Sequence, residues 1–147
     1  MPKKRVEGVP PFLRVPTPGS QRELSQLSPQ VAAYVGDAVF ELYIRTFLVQ
    51  LEGQMPINEL HHRATSLARA GGQASLLQEV LPLLSEEELT TVRRGRNAGG
   101  RVPRGAKVKD YRYATGLEAL LGTLYLEGKT ERLHTIMARI MEAVEDV

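Results

Sequence analysis

Two carboxylates stand where an apolar helix would not ordinarily place them. Asp37 sits in "AAYVGDAVFELYIRTFL" (residues 32–48), and Glu118 in "GLEALLGTLYLEG" beside Leu117, Ala119, Leu120 and Leu121. An ionised carboxylate withdrawn from water costs several kcal/mol unless a cation or donors compensate it. Three arrangements would do so. The acid can lie at an exposed edge or pair with an arginine, as the i,i+4 spacing of Glu41 and Arg45 allows. It can stay protonated and act as a general acid or base. Or two acids from different helices can share a hard cation such as Mg²⁺, with water completing the octahedron. An ion held in that way acidifies a water molecule and clamps a phosphodiester oxygen. Gly36 and Gly122 would let two helix backbones approach closely enough for the acids to meet.

Other chemistries find little support. There is no cysteine, so thiolate sites and disulfides are excluded. His61 and His62 are adjacent and point about 100° apart on a helix, and His134 is isolated, so no zinc site is credible. No Ser-His-Asp arrangement and no Walker-type glycine loop are present.

Positive charge is concentrated. Residues 93–112 hold Arg93, Arg94, Arg96, Arg101, Arg104, Lys107, Lys109 and Arg112 against Asp110 alone, whereas the chain as a whole carries only +2. From residue 113 onward acids outnumber bases. Such a cluster suggests a polyanionic partner, and Asn97 and Tyr111 within it offer hydrogen bonds to sugar or phosphate.

Helices must position these residues. A chain of 147 residues fits one domain with a real core. Residues 1–22 hold five of the nine prolines and read as an extended tail, which leaves 23–147 as the folded domain. Ser28-Pro29 marks an N-cap with proline at the first helical position, and 3.6-residue spacing carries a helix to about Gln50. Pro56 starts another, Gly71-Gly72 breaks or kinks it, and "QASLLQEVLPLL" resumes the period. Ser85 and Glu88 form a capping box. "AGGRVPRGAKVKDY" reads as a basic loop, at about residues 95–110. Thr115 opens a helix closed by Gly128, and a last helix runs from about Thr130 to Val144. No stretch alternates as a strand would, so the fold class is all-α. The start lacks the apolar core of a secretory signal, and no apolar run approaches the ~20 residues of a membrane span. A cytoplasmic protein with no membrane partner is expected.

With these residues in place, a family resemblance emerges. "YVGDAVFEL" is similar to the ribonuclease III catalytic signature, whose Gly-Asp-Ala-Val helix supplies a metal-binding aspartate, and "LEALLGTLYLEG" to its second signature, whose glutamate precedes an apolar run ending in glycine. Asp37 and Glu118 fall on those two acids. "RRGRNA" and "DYRYATGLEALLG", with no length for a duplex-RNA-binding domain, resemble the reduced Mini-III branch most closely. Full-length members carry further acids on the first helix and three residues before the second glutamate; here Leu24–Gly36 holds none, Gln30 and Ala33 occupy the preceding turns, and Thr115 stands before Glu118. Mini-III members share that reduced pattern.

The resemblance implies a dimeric, helical ribonuclease III endonuclease domain. It implies a Mg²⁺-dependent endoribonuclease that cuts double-stranded precursor 23S ribosomal RNA, leaving 5′-phosphates and 3′-hydroxyls. Asp37 and Glu118 would be the catalytic, metal-holding acids, and residues 93–112 would grip the duplex by shape and phosphate contacts. A homodimer would supply one site per strand, with Val35, Val39, Phe40 and Tyr43 as candidates for its surface. In the family a ribosomal protein can assist by shaping the RNA. The alternative is a non-catalytic RNA-binding or ribosome-assembly protein on a degenerate domain of the same fold.

Overall fold

The computed structural model describes residues 27–51 and 53–145. The proline-rich segment 1–22, expected to be an extended tail, lies outside these residues. Six α-helices follow in order: α1 (Pro29–Leu51), α2 (Ile57–Ala68), α3 (Ala70–Val80), α4 (Glu86–Asn97), α5 (Val108–Leu126) and α6 (Thr130–Glu145), with a short 3₁₀ turn, Leu81–Leu83, before α4. Among the described residues there is no strand.

Local signals set most boundaries. The Ser28 hydroxyl accepts from the Val31 amide at 3.2 Å, so α1 begins with a side-chain cap and proline at N1. The capping box on α4 is present in both directions: Ser85 Oγ accepts from the Glu88 amide at 3.1 Å, and Glu88 Oε1 from the Ser85 amide at 2.9 Å. The break between α2 and α3 falls at Arg69, in extended conformation with ψ 153°, and Gly71 and Gly72 lie inside the first turn of α3. Gly128, at φ +72°, ends α5: its amide and that of Lys129 return to Tyr125 and Leu124, the paired bonds of a Schellman closure.

The start of α5 departs from expectation. The helix begins at Val108, seven residues before Thr115, so the irregular stretch shrinks to residues 98–107. Lys107 caps it by backbone conformation alone, with no side-chain hydrogen bond; there is no Ser, Thr, Asp or Asn to announce the start.

α5 is the axis of the fold, packed against α1, α3, α4 and α6. Its Leu117, Leu120, Leu121 and Leu124 are buried, together with Phe40, Ile44 and Leu48 of α1, Leu77 and Val80 of α3, and Ile136, Met137 and Ile140 of α6. Each such side chain contributes about 1.5–3 kcal/mol relative to exposure. α6 is fastened to the start of α4 by Arg132, whose Nε and a terminal nitrogen each donate to Glu88 at 2.8 Å while the latter also reaches the Leu83 carbonyl at 2.7 Å. That pairing holds Glu88 well below the usual carboxylate range, at about 2.

Val39 and Phe40, expected as candidates for a dimer surface, belong to the core, and Val35 and Tyr43 pack against it. The apolar side chains that α1 leaves exposed are Val31, Tyr34, Leu42, Val49 and Leu51. The tertiary packing takes the face of α1 that carries Phe40 and Ile44.

Candidate active site

Glycine brings the acids together. A methyl group on Gly36 would fall on the Glu118 carbonyl, and one on Gly122 would fall on the Ala32 carbonyl. α1 and α5 therefore cross backbone against backbone at these two residues. Asp37 follows Gly36 directly and Glu118 lies one turn before Gly122, so the crossing sets the two carboxylates side by side. The opposite flank of α5 is held as tightly by α4: a methyl on Gly95 would come 2.8 Å from the Ala119 Cβ, and one on Gly116 would come 2.8 Å from the Val92 carbonyl. With α4 against its other side, α5 has little room to recede from α1.

The electrostatics follow from that closeness. Burial, first, and then the hydrogen bond and charge of Asp37 push the Glu118 carboxyl up to about 9, with Glu41 adding a smaller contribution in the same direction. Two like charges at such a separation cannot both ionise without a counter-charge. In the metal-free protein Glu118 thus keeps its proton at neutral pH and is hydrogen-bonded to Asp37. The side chain of Asp37 itself is exposed at the edge of α1, which answers how a carboxylate survives in so apolar a helix: it faces outward and not the core. Glu41 is half-buried and paired with Arg45 at 3.4 Å, the i,i+4 pairing the sequence suggests.

This donor set suits a hard divalent cation. It consists of oxygen ligands, it is short of positive charge, and Mg²⁺ is commonly held by one or two carboxylates with water and substrate phosphates filling the remaining positions. Among the described residues no group of three or more His, Cys, Asp or Glu side chains is disposed to hold a metal; the carboxylates that meet there are Asp37 and Glu118. The positions around them supply no substitute. Ala33 is buried; Thr115 spends its hydroxyl on the Tyr111 carbonyl at 2.9 Å; Gln30 turns its amide to the carbonyls of Ala98 and Gly99, both at 3.4 Å.

That last contact connects the site to the basic segment. Gln30 lies seven residues before Asp37, on the same face of α1, and touches the first residues of the 98–107 loop. The cations read as one loop are distributed over three elements. Arg93, Arg94, Arg96 and Asn97 end α4, Arg101 and Arg104 lie in the loop, Lys107 caps α5, and Lys109, Tyr111 and Arg112 are among its first five residues. All eight cations are exposed except Arg96, which is half-buried and donates to Asn97 at 3.2 Å; Lys109 stands 5.9 Å over the Tyr113 ring.

The histidines are placed as a structural reading requires, with one difference. His61 and His62 are exposed on α2. His134 is not isolated: its Nδ1 is 2.6 Å from the Tyr43 hydroxyl, with the rings edge to face, joining α6 to α1. Gln73 escaped sequence reasoning altogether. It is buried on α3 beside Glu118, and its only signal is a polar residue in an otherwise small and apolar run.

Similarity to known proteins agrees with this geometry. The ribonuclease III domain family matches residues 30–129, a span that contains both acids, both glycine crossings and the basic segment. The chain is 48% identical over 121 residues to the Mini-ribonuclease 3 of Thermoanaerobacter sp. (strain X514), covering 82% of this chain and 84% of that protein. It is 50% identical over 116 residues to that of Desulfitobacterium hafniense, covering 79% and 71%, and 52% identical over 101 residues to that of a Synechococcus strain, covering 69% and 72%. A crystal structure of a Fusobacterium nucleatum protein superimposes with a TM-score of 0.74 at 28% identity, over 84% of this chain and 98% of that one. Enzymes of this family generally use a divalent metal. The chain therefore belongs to the ribonuclease III family, in its Mini-ribonuclease 3 branch, and is an endoribonuclease acting on RNA.

Proposed function

We propose that this endoribonuclease is Mg²⁺-dependent, specific for double-stranded RNA, and matures precursor 23S ribosomal RNA in the cytoplasm as a homodimer, assisted where needed by a ribosomal protein that shapes the substrate. The observation that carries the reading is the meeting of Asp37 and Glu118 across the Gly36–Gly122 crossing, where the charge deficit created by two adjacent carboxylates matches what a divalent cation supplies.

Asp37 and Glu118 would hold the ion, which supplies Lewis-acid stabilisation of the phosphodiester and an acidified water. The surrounding residues do the rest. Gly36 and Gly122 fix the spacing of the acids. The cations from Arg93 to Arg112 draw the duplex by its phosphates, a contribution that weakens as salt rises. Gln30 ties the first residues of that segment to the helix bearing Asp37. Exposed Val31, Tyr34, Leu42 and Val49 offer α1 of a second copy an apolar stripe, and a two-fold axis there would supply one site for each strand.

A long RNA hairpin incubated with the wild type, Asp37→Asn and Glu118→Gln, in Mg²⁺ and in EDTA, tests the assignment. Cleavage should need Mg²⁺ and disappear in both variants, leaving 5′-phosphate ends in the wild type. Cleavage that persists in EDTA, or in either variant, would remove the metal-holding role from this pair.

A further inference from the structure

The buried amide of Gln73 has no part in the reading above. It lies in the first turn of α3, 2% exposed, and its Nε2 makes no hydrogen bond. Leaving a buried donor without an acceptor costs about 1–3 kcal/mol, whereas an apolar side chain of similar shape would carry no such cost. The site therefore retains a polar group at a loss to folding. The amide lies beside the Glu118 carboxyl of the facing helix α5, near enough to interact with it yet short of a formed hydrogen bond from Nε2. A third carboxylate here would add negative charge beside Asp37 and Glu118; an amide donor adds none.

We propose that Gln73 is a positioning residue for the metal-holding pair: with a divalent cation bound, its Nε2–H donates to the Glu118 carboxylate and fixes that side chain in its ligating orientation. The inference rests on the reading of Asp37 and Glu118 as metal ligands. Hydrogen bonds to a ligating group from outside the coordination sphere orient it, and their loss costs about 10–100-fold in metal affinity. The donor that goes without an acceptor in the metal-free protein acquires one when the ion draws Glu118 into place. Where two carboxylates hold the ion, the orientation of each matters more than in a site with four.

Mn²⁺ alone, titrated into the full chain and followed by loss of the free-ion paramagnetic signal, provides a readout separate from catalysis. Gln73→Leu should bind Mn²⁺ about 10–100-fold more weakly than wild type, while its metal-free melting temperature stays level or rises because the unpaired donor has gone. Gln73→Met, unbranched and more adaptable in a packed site, should behave alike and serves if the leucine variant does not fold. Wild-type Mn²⁺ affinity in either folded variant would overturn the proposal, as would a fall in melting temperature with affinity unchanged, which is the mark of a structural glutamine. Asp37→Asn and Glu118→Gln in the same titration separate the two readings. If they bind as the wild type does, the metal-ligand assignment fails and this inference with it; if they lose binding while Gln73→Leu keeps it, only the role of Gln73 fails.

Discussion

At Glu118 the requirements of folding oppose those of the metal-holding role proposed for it. The folded protein holds this carboxyl at about 9, whereas an unfolded chain releases the proton near the ordinary value of 4.5. Between those values the native state binds a proton that the unfolded state does not, so the metal-free protein loses stability as pH rises from about 4.5 to about 9. Glu88 acts outside that window: held to about 2 by Arg132, it costs stability only as pH falls below 4.5. Glu118→Gln removes the first effect. In EDTA its melting temperature should lie a few degrees above wild type at pH 8.5, with the two converging toward pH 5, although the variant cuts no RNA. Melting curves across that range check this, and parallel curves for the two proteins would show that Glu118 ionises freely in the fold. Stabilisation together with loss of cleavage in Glu118→Gln would mark the residue as kept for its chemistry.

The element that makes the acids meet is the crossing of α1 and α5. Gly36→Ala would drive a methyl into the Glu118 carbonyl, and backbone on both sides leaves no side chain to swing away. The cost should reach or exceed the upper end of the about 1–3 kcal/mol typical of overpacking, and cleavage should fall on the order of 100-fold as the acids are displaced. Gly71→Ala is the matched control: its methyl would meet only the Asp110 carboxylate, at an ordinary 3.6 Å, and alanine suits a helix better than glycine. Denaturant melts and initial rates on both variants test the contrast; equal behaviour would mean that the crossing is not what places the acids. The sequence discloses this element well, because glycines inside otherwise filled helices have few uses other than close approach. It discloses the start of α5 poorly, since Lys107-Val108-Lys109 contains no capping side chain, and the nearness of that turn to Gly71 of α3 is a tertiary feature no local spacing records. Gln73 was illegible for a related reason: which polar residue of a helix ends up inside is decided by the neighbouring helix, and no spacing in α3 records it.

For the whole molecule, the unsettled balance is on α1. Its positions 31, 38, 42 and 49 recur at seven, eleven and eighteen residues and so share one face, opposite the face that carries Phe40 and Ile44 into the core. Val35, Val39, Phe40 and Tyr43 were the surface candidates because the resemblance places dimerisation on this helix. Spacing alone does not say which of its apolar residues the core takes, and the core took Val39 and Phe40 and left Tyr34 and Leu42 outside. Tyr34 is 81% and Leu42 68% exposed, and large apolar side chains aligned in this way favour burial against a partner. Asp37 lies at the flank of the same stripe, so a second copy docked there would set two acid pairs beside one interface, each available to one strand of a duplex. Leu42→Arg places a charge in the middle of that stripe without touching the core. Sedimentation should show the wild type as a dimer and the variant as a monomer with an unchanged melting profile at low concentration. On a hairpin substrate the variant should lose paired cuts on opposite strands while its Mn²⁺ affinity persists, because Asp37, Glu118 and Gln73 all come from one chain. A wild type that sediments as a monomer and still cuts both strands in a single encounter would show that the duplex reaches two sites without that interface.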